Sequence, residues 1–270
     1  MKVAVTRLAV GVLCVAALTG PARAHETWLA PAAHAVEPGT TLTLSLTSGM
    51  SFPKLESPIR PERVATSGVR LHGTLHALGP WRAQSTALAT STRLARTGIA
   101  TAWVALHPKD IDLSDAKVEE YFAEIGADSA LRARWAGMRG RHAWHETYTK
   151  HAKTFVAVGD AAADTSWREP VGLAVELVPL FAPDRVRAGD EVAVQLLKEG
   201  HAEAGAVVVL MQAHGDRAFA TTDDAGVARL RAKLAGPALF ATVLLRPTPA
   251  GTAWTSDFST LTVDVARGTP

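Results

Sequence analysis

The chain has 270 residues, of which 47% are hydrophobic and 20% are charged. This composition can fill a core, which excludes wholesale disorder, and the length fits one large domain or two modest ones. Basic residues number 28 and acidic residues 26, without the basic excess of a surface that neutralises phosphates. We therefore expect no nucleic-acid partner.

The first residues have the pattern of an export signal. Lys2 and Arg7 precede an apolar run, and Ala22-Arg23-Ala24 has the small-x-small pattern of a signal-peptidase site. As a helix the run reaches ~16 Å, about half of a bilayer's hydrocarbon core. We expect residues 1–24 to be a cleaved signal, the mature protein to be periplasmic and to begin at His25, and no membrane span to remain.

The mature chain is predicted to start as β-structure. Thr40 to Thr47 alternates leucine with threonine and serine, the period of a half-buried strand. Residues 69–77 and 98–107 are predicted as further strands.

A helical insert is predicted at about 114–151. Ser114 is placed to cap the first stretch and Gly126 to end it. The apolar residues with helical spacing are Val118, Tyr121, Phe122 and Ile125, then Leu131, Trp135 and Met138, and in a third stretch Trp144, Tyr148 and His151.

The remainder of the chain is predicted to be all β. Seven short apolar runs are separated by turns rich in Gly, Pro and Asp, at residues 173–177, 192–196, 206–211, 218–222, 227–231, 239–245 and 258–265. Such spacing is typical of an immunoglobulin-like or transthyretin-like sandwich. The predicted fold class is mainly β with a helical insert, in two β-sandwich domains at 25–165 and 171–267. We expect the second domain to fold alone.

Signatures of catalysis are absent from the sequence. His145-Glu146 and His25-Glu26 resemble the start of a zinc-protease motif, but Thr149 and Leu29 stand where the second histidine would be. The chain has no glycine-rich phosphate loop and no nucleophile elbow. Its one cysteine, Cys14, lies in the predicted signal. We expect a protein that is not an enzyme.

His25 is the leading candidate for a metal ligand. As the first residue of the mature chain it would offer two nitrogen donors, its α-amine and Nδ1, which can chelate one ion. Nitrogen donors of this kind suit Cu(II) or Ni(II). The alternative is that His25 comes first only because of where cleavage occurs.

His142 and His145 are the second candidates. If the insert is helical there, the two rings lie three residues apart and can face the same side, where Glu146 could join them. The neighbouring Arg139 and Arg141 favour the alternative of a solvated helix end.

Several motifs together resemble a family of bacterial periplasmic proteins classed as a domain of unknown function and labelled nickel-uptake-transporter-like. The matching segments are His25-Glu26-Thr27-Trp28-Leu29 and residues 117–126, 146–153, 173–180 and 222–226, followed by Trp254 and residues 261–263. The resemblance spans essentially the whole mature chain through the order and spacing of these segments.

The resemblance implies a protein that handles a divalent transition metal, with nickel or cobalt as the usual label. It supports His25 as a ligand and singles out Trp28, Tyr148 and Lys153 as matching positions. Relatives carry a histidine just before the position of Arg246, where this chain has leucines. The second donor would then be His142, His145 or another imidazole.

Three functions are therefore open. The first is capture of Ni, Co or Cu by His25 and its delivery to an inner-membrane metal transporter. The second is a structural or interaction module of the cell envelope that binds no metal. The third is a copper oxidase that acts on a polymer.

The export signal generates the first testable prediction. The intact mass of protein isolated from the periplasm should equal that of a chain beginning at His25, because cleavage should follow Ala24. A mass that includes Met1, or a lipid adduct, would contradict this prediction.

Overall fold

The computed structural model describes residues 26–268, and His25 lies just outside this range. Within it, the chain forms 19 strands and two α-helices. The N-terminal strands are β1 (Glu26–Pro31), β2 (Ala35–Val36), β3 (Thr41–Gly49), β4 (Ser57–Pro58), β5 (Val64–Leu71), β6 (Thr74–His76), β7 (Arg82–Ala83), β8 (Leu88–Arg93), β9 (Gly98–Leu106) and β10 (Lys109–Leu113). The helices are α1 (Asp115–Glu124) and α2 (Ser129–Met138). The remaining strands are β11 (Trp144–Val158), β12 (Val175–Pro179), β13 (Glu191–Lys198), β14 (His201–Ala202), β15 (Val207–Met211), β16 (Arg217–Thr221), β17 (Val227–Arg231), β18 (Gly236–Pro247) and β19 (Trp254–Val265).

The strands form a large central sheet with a smaller sheet on each face. The central sheet has ten strands in the order β16-β15-β18-β19-β11-β9-β5-β6, with β10 and β2 also paired to β11. A five-stranded sheet contains β1, β3, β4, β7 and β8, and a four-stranded sheet contains β12, β13, β14 and β17. The protein is therefore mainly β and sandwich-like, as the sequence predicts.

Separate apolar cores lie on the two faces of the central sheet. The C-terminal core joins it to the four-stranded sheet through residues such as Phe155, Leu177, Val194, Leu196, Phe240, Leu261 and Val263. The N-terminal core joins it to the five-stranded sheet through residues such as Leu42, Leu44, Leu46, Val69, Val104 and Val156. Both helices cover an aromatic core that includes Tyr121, Phe122, Trp135, Trp144, Trp254 and Phe258.

Strand β11 contributes to the cores on both faces. Successive side chains of a strand point to opposite faces of its sheet, so Phe155 enters the C-terminal core while Val156 enters the N-terminal core. The strand pairs in parallel with β19 and antiparallel with β9 and β10. The two halves of the chain are consequently joined through one continuous sheet.

Most predicted elements are confirmed. The helix predicted between Ser114 and Gly126 is α1, and all seven C-terminal runs correspond to strands. The single strand predicted over 69–77 is instead a hairpin of β5 and β6. His72 (φ 49°) and Gly73 (φ 72°) both adopt the left-handed conformation, which matches the two-residue turn of a tight hairpin.

The prediction of a third helical stretch, through Trp144, Tyr148 and His151, was wrong. The second helix ends at Met138 and residues 144–158 form β11, not a helix. The insert therefore ends before Trp144. The segment around 159–170 leads from β11 to β12, but the ladder between β11 and β19 crosses the expected domain boundary.

An ion pair also crosses this boundary inside the protein. Lys153 Nζ on β11 lies 2.6 Å from Glu176 Oε1 on β12, and both side chains are almost fully buried. Glu176 also accepts hydrogen bonds from the backbone N–H groups of Val171, Gly172 and Leu173. Its carboxylate thus attaches the connecting segment to the central sheet. Burial lowers the pKa of Lys153, and the nearby Glu176 opposes that effect.

Within the described residues, no helix is both long and apolar enough to cross a membrane.

Replacing Lys153 should destabilise the protein strongly. In Lys153→Met the Glu176 carboxylate stays buried without its cation, so the free energy of unfolding should fall by about 3–5 kcal/mol. Lys54→Met, at an exposed lysine, is the matched control and should change it by less than about 0.5 kcal/mol. Urea unfolding measures both, and equal midpoints for the two variants would contradict the assignment.

Candidate functional site

The structure separates the candidates His142 and His145. His142 is exposed in the turn that follows α2, and His145 lies on β11. The predicted helical spacing of these two residues is therefore wrong. His145 Nδ1 lies 2.9 Å from Asp112 Oδ1 on β10, and a hydrogen bond to that carboxylate raises the pKa of His145. Glu146 points to the opposite face of the strand and cannot join His145 on one ion.

Glu146 is instead buried beneath α1. Its carboxylate accepts hydrogen bonds from Trp144 Nε1 at 3.0 Å, from Tyr121 OH at 3.2 Å and from Ser256 Oγ. Burial raises the pKa of Glu146, although these three donors oppose the shift. The carboxylate thus joins α1, β11 and β19 at the edge of the aromatic core.

Strand β1 begins with Glu26, the residue after His25, and Glu26 is near enough to the Glu146 group for its charge to act on Tyr121. Glu26 and Trp28 point to one face of β1, and Trp28 is fully buried with its ring 5.6 Å from that of Phe52. The backbone is held from both sides: Ser48 Oγ donates to the Glu26 carbonyl at 3.0 Å, and Thr260 Oγ1 donates to that of Thr27 at 2.7 Å. The position of Glu26 is consequently fixed.

The Glu26 carboxylate has an unusual environment. Its Oε2 is buried and has no hydrogen-bond partner among residues 26–268. Burial raises the pKa of Glu26, the charges of Lys150 and Arg217 oppose this, and Glu124 adds to it. Two carboxylates and two cations therefore interact beside the start of β1.

Lys150 is the buried cation of this group. It lies on the same face of β11 as Glu146, with Nζ 4.7 Å from the centre of the Phe258 ring and 5.5 Å from that of Tyr148. Burial lowers the pKa of Lys150 to about 8, with Glu26 acting in the opposite direction. The ammonium is thus stabilised by aromatic faces and neighbouring carboxylates.

The three matching positions of the family resemblance lie in different environments. Trp28 belongs to a buried apolar cluster with residues of β15 and β18, and Lys153 forms the ion pair described above. Tyr148 is half-buried, with the Arg63 guanidinium 5.5 Å from its ring centre. Trp28 and Lys153 therefore act in packing and in joining the sheets, whereas Tyr148 lies close to the charged group around Lys150.

Within residues 26–268, no three His, Asp or Glu side chains converge in a geometry that could hold a metal ion. Glu26 is the next residue after His25 in the sequence, and the charge of Glu124 acts on the Glu26 carboxyl group. The metal hypothesis therefore depends on His25 itself.

Sequence reasoning missed Glu26, Glu124 and Lys150 as neighbours. One signal was present: Glu26 lies two residues before Trp28, so both point to the same face of a strand, and a carboxylate beside a buried tryptophan is itself enclosed. The proximity of Lys150 could not be found this way, since it comes from a distant strand.

Removing the Glu146 carboxylate should leave three buried donors unpaired. Glu146→Ala should lower the free energy of unfolding by about 3 kcal/mol or more, and Tyr121→Phe, which removes one donor, by about 1 kcal/mol. Glu37→Ala, at an exposed glutamate, is the control. If chemical denaturation gave Glu146→Ala the same stability as this control, the carboxylate would not be joining these elements.

Comparisons with known proteins place the chain in a family. Among solved structures it is similar to fibronectin(III)-like modules of Clostridium thermocellum CbhA, at 11% identity and a TM-score of 0.21 over 88% of this chain and 94% of that one. It is also similar to a bacterial ice-binding adhesin of 1.5 MDa (16% identity, TM-score 0.25, 90% of this chain and 64% of that one). A third match is the Yersinia pseudotuberculosis adhesin InvE, at 15% identity and a TM-score of 0.21 over 88% of this chain and 59% of that one.

The chain thus spans less than two thirds of either adhesin, and these similarities are too low to bear on function. No curated protein matches the chain. The profile of one family, described as a domain of unknown function (DUF4198), matches residues 22–245. Because this match covers most of the chain, the protein belongs to the DUF4198 family.

Proposed function

We propose that the protein captures a divalent transition metal ion, Ni(II), Co(II) or Cu(II), in the periplasm and delivers it to an inner-membrane metal transporter. The ion is cargo, and the protein performs no catalysis on it. The first two donors are the α-amine and imidazole nitrogens of His25 once the signal has been removed. These nitrogens suit the later divalent metals better than Mg²⁺ or Ca²⁺.

The observation that carries this proposal is a buried oxygen of Glu26 that has no hydrogen-bond partner in the part of the chain that the structure describes. A buried carboxylate oxygen without a donor costs free energy, of the order of 1–3 kcal/mol. A metal ion held by the preceding residue would offset that cost and gain an oxygen ligand. Glu124, whose charge acts on Glu26, supplies a second carboxylate in the same neighbourhood.

The anchoring of β1 supports the same proposal. The Glu26 and Thr27 carbonyls are held by side chains of two different sheets, and Trp28 is fully buried. A donor attached to such a fixed backbone loses less conformational freedom on binding than one on a loose terminus. The residues that directly follow His25 in the sequence thus belong to a rigid strand.

His145 does not contribute to this proposed site. It lies on the face of β11 opposite to Lys150, whose charge acts on Glu26, and its Nδ1 already faces Asp112. His142 lies in the exposed turn after α2. We therefore assign the further donors to Glu26 and Glu124 and not to the histidine pair.

The test is a calorimetric titration of Ni(II) and Cu(II) into the mature chain. One extra residue before His25 converts its α-amine into an amide, which is not a donor unless deprotonated, so this extension should weaken binding by about 10-fold or more. His25→Ala should have a similar or larger effect, since it removes the imidazole. Glu26→Gln should also weaken binding, with Glu37→Gln, at an exposed turn residue, as its matched control.

Equal affinity in the mature chain, the extended chain and His25→Ala would show that the first residue is not a ligand. The alternative of a structural or interaction module would then be the better account.

A further inference from the structure

A cleft beside the Trp28 cluster is lined by two methionines and a histidine. Its volume is about 330 Å³, and its lining includes Met50, Met211 and His214 together with Phe52, Asp216 and Arg217. The whole sequence has four methionines. One is Met1 and another is Met138, which is buried in the aromatic core, so both others line this one cleft.

The Met50 side of the cleft is held in place by Glu56. Its carboxylate accepts the backbone N–H of Met50 at 2.9 Å and that of Ser51 at 3.1 Å, while the Glu56 N–H donates to Thr47 Oγ1 at 3.1 Å. The hydrogen bonds from Met50 and Ser51 lower the pKa of Glu56. The chain that bears Met50 is therefore fixed where it leaves β3.

The opposite side of the cleft is equally well defined. Met211 is the last residue of β15 and pairs with strands on both sides. His214 follows in a turn with φ 60°, a left-handed conformation that is uncommon for a residue other than glycine. The Gln212 N–H donates to the Asp216 carbonyl at 3.0 Å, and the Gln212 side chain bonds the backbone of Lys233 and Leu234. The turn thus holds His214 at the cleft in a backbone conformation that residues other than glycine seldom adopt.

We propose that this cleft is a binding site for a soft monovalent cation, Cu(I), with the thioethers of Met50 and Met211 and the imidazole of His214 as ligands. Thioether sulfur selects Cu(I) over hard cations, and imidazole also suits copper. Arg217, whose charge also acts on Glu26, lines the cleft as well. Asp216 also lines the cleft but is paired with Lys233 at 3.3 Å.

Packing alone accounts for only part of this arrangement. Met211 is buried in the cluster around Trp28, where an apolar side chain of similar size would serve as well. Met50 is only half-buried and His214 is exposed, so filling a core does not explain why both line this cleft. The donors differ from those of the divalent site proposed at His25, and either proposal can fail without the other.

The experiment is a titration of the mature protein with Ag(I), a redox-inert substitute for Cu(I), in competition with a chelator of known affinity. Met50→Leu, Met211→Leu and His214→Ala should each weaken Ag(I) binding by about 10-fold or more, because each removes one ligand. Met138→Leu is the matched control and should leave the affinity unchanged within about 2-fold, since its sulfur lies elsewhere. Methionine-to-leucine changes conserve volume and fold, and thermal unfolding of each variant verifies this.

Unchanged Ag(I) affinity in Met50→Leu and His214→Ala would overturn the proposal, and so would an equal loss in Met138→Leu. Met50 is half-buried, so its variant remains decisive even if Met211→Leu lowers stability. A second readout is X-ray absorption of the Cu(I)-loaded protein. We expect both sulfur and nitrogen neighbours around copper, and a shell without sulfur would contradict the site.

Discussion

The rest of the structure depends on the pairing of β11 with β19 in the middle of the central sheet. The two strands run parallel over nine residues of each, from Glu146 and Trp254 onward. Parallel strands are usually buried on both faces, and here each face of the pair is covered by different elements. The four-stranded sheet covers one face, and the five-stranded sheet and the helices cover the other.

Because side chains alternate along β11, its buried charged residues lie on two opposite faces and have different partners. On one face, Lys153 reaches Glu176 and attaches the segment between the halves of the chain. On the other face, Glu146 gathers donors from α1 and β19, and Lys150 lies among the aromatic rings near Glu26. A shift of one residue in this register would exchange the two sets and bury each charge without its partner.

Much of the fold could be predicted from the sequence, but β11 could not. In β11 both faces are covered, and buried charged residues lie on each, Glu146 and Lys150 on one and Lys153 on the other, so the period of 2 does not show as apolar against polar. Trp144 and Tyr148 are four residues apart, which fits a helix as well as a strand. For the sites, His25 was proposed from the predicted cleavage position, whereas the presence of Met50 and His214 in the lining of one cleft depends on tertiary structure that no local pattern encodes.

Native-state hydrogen exchange tests the central role of β11 most directly. If β11 joins both halves, the most protected amides of β3, β11 and β13 should exchange through one cooperative unfolding, with one free energy and one denaturant dependence. Separate opening events for β3 and β13, with different free energies and with β11 following only one of them, would show two independent units and contradict this account.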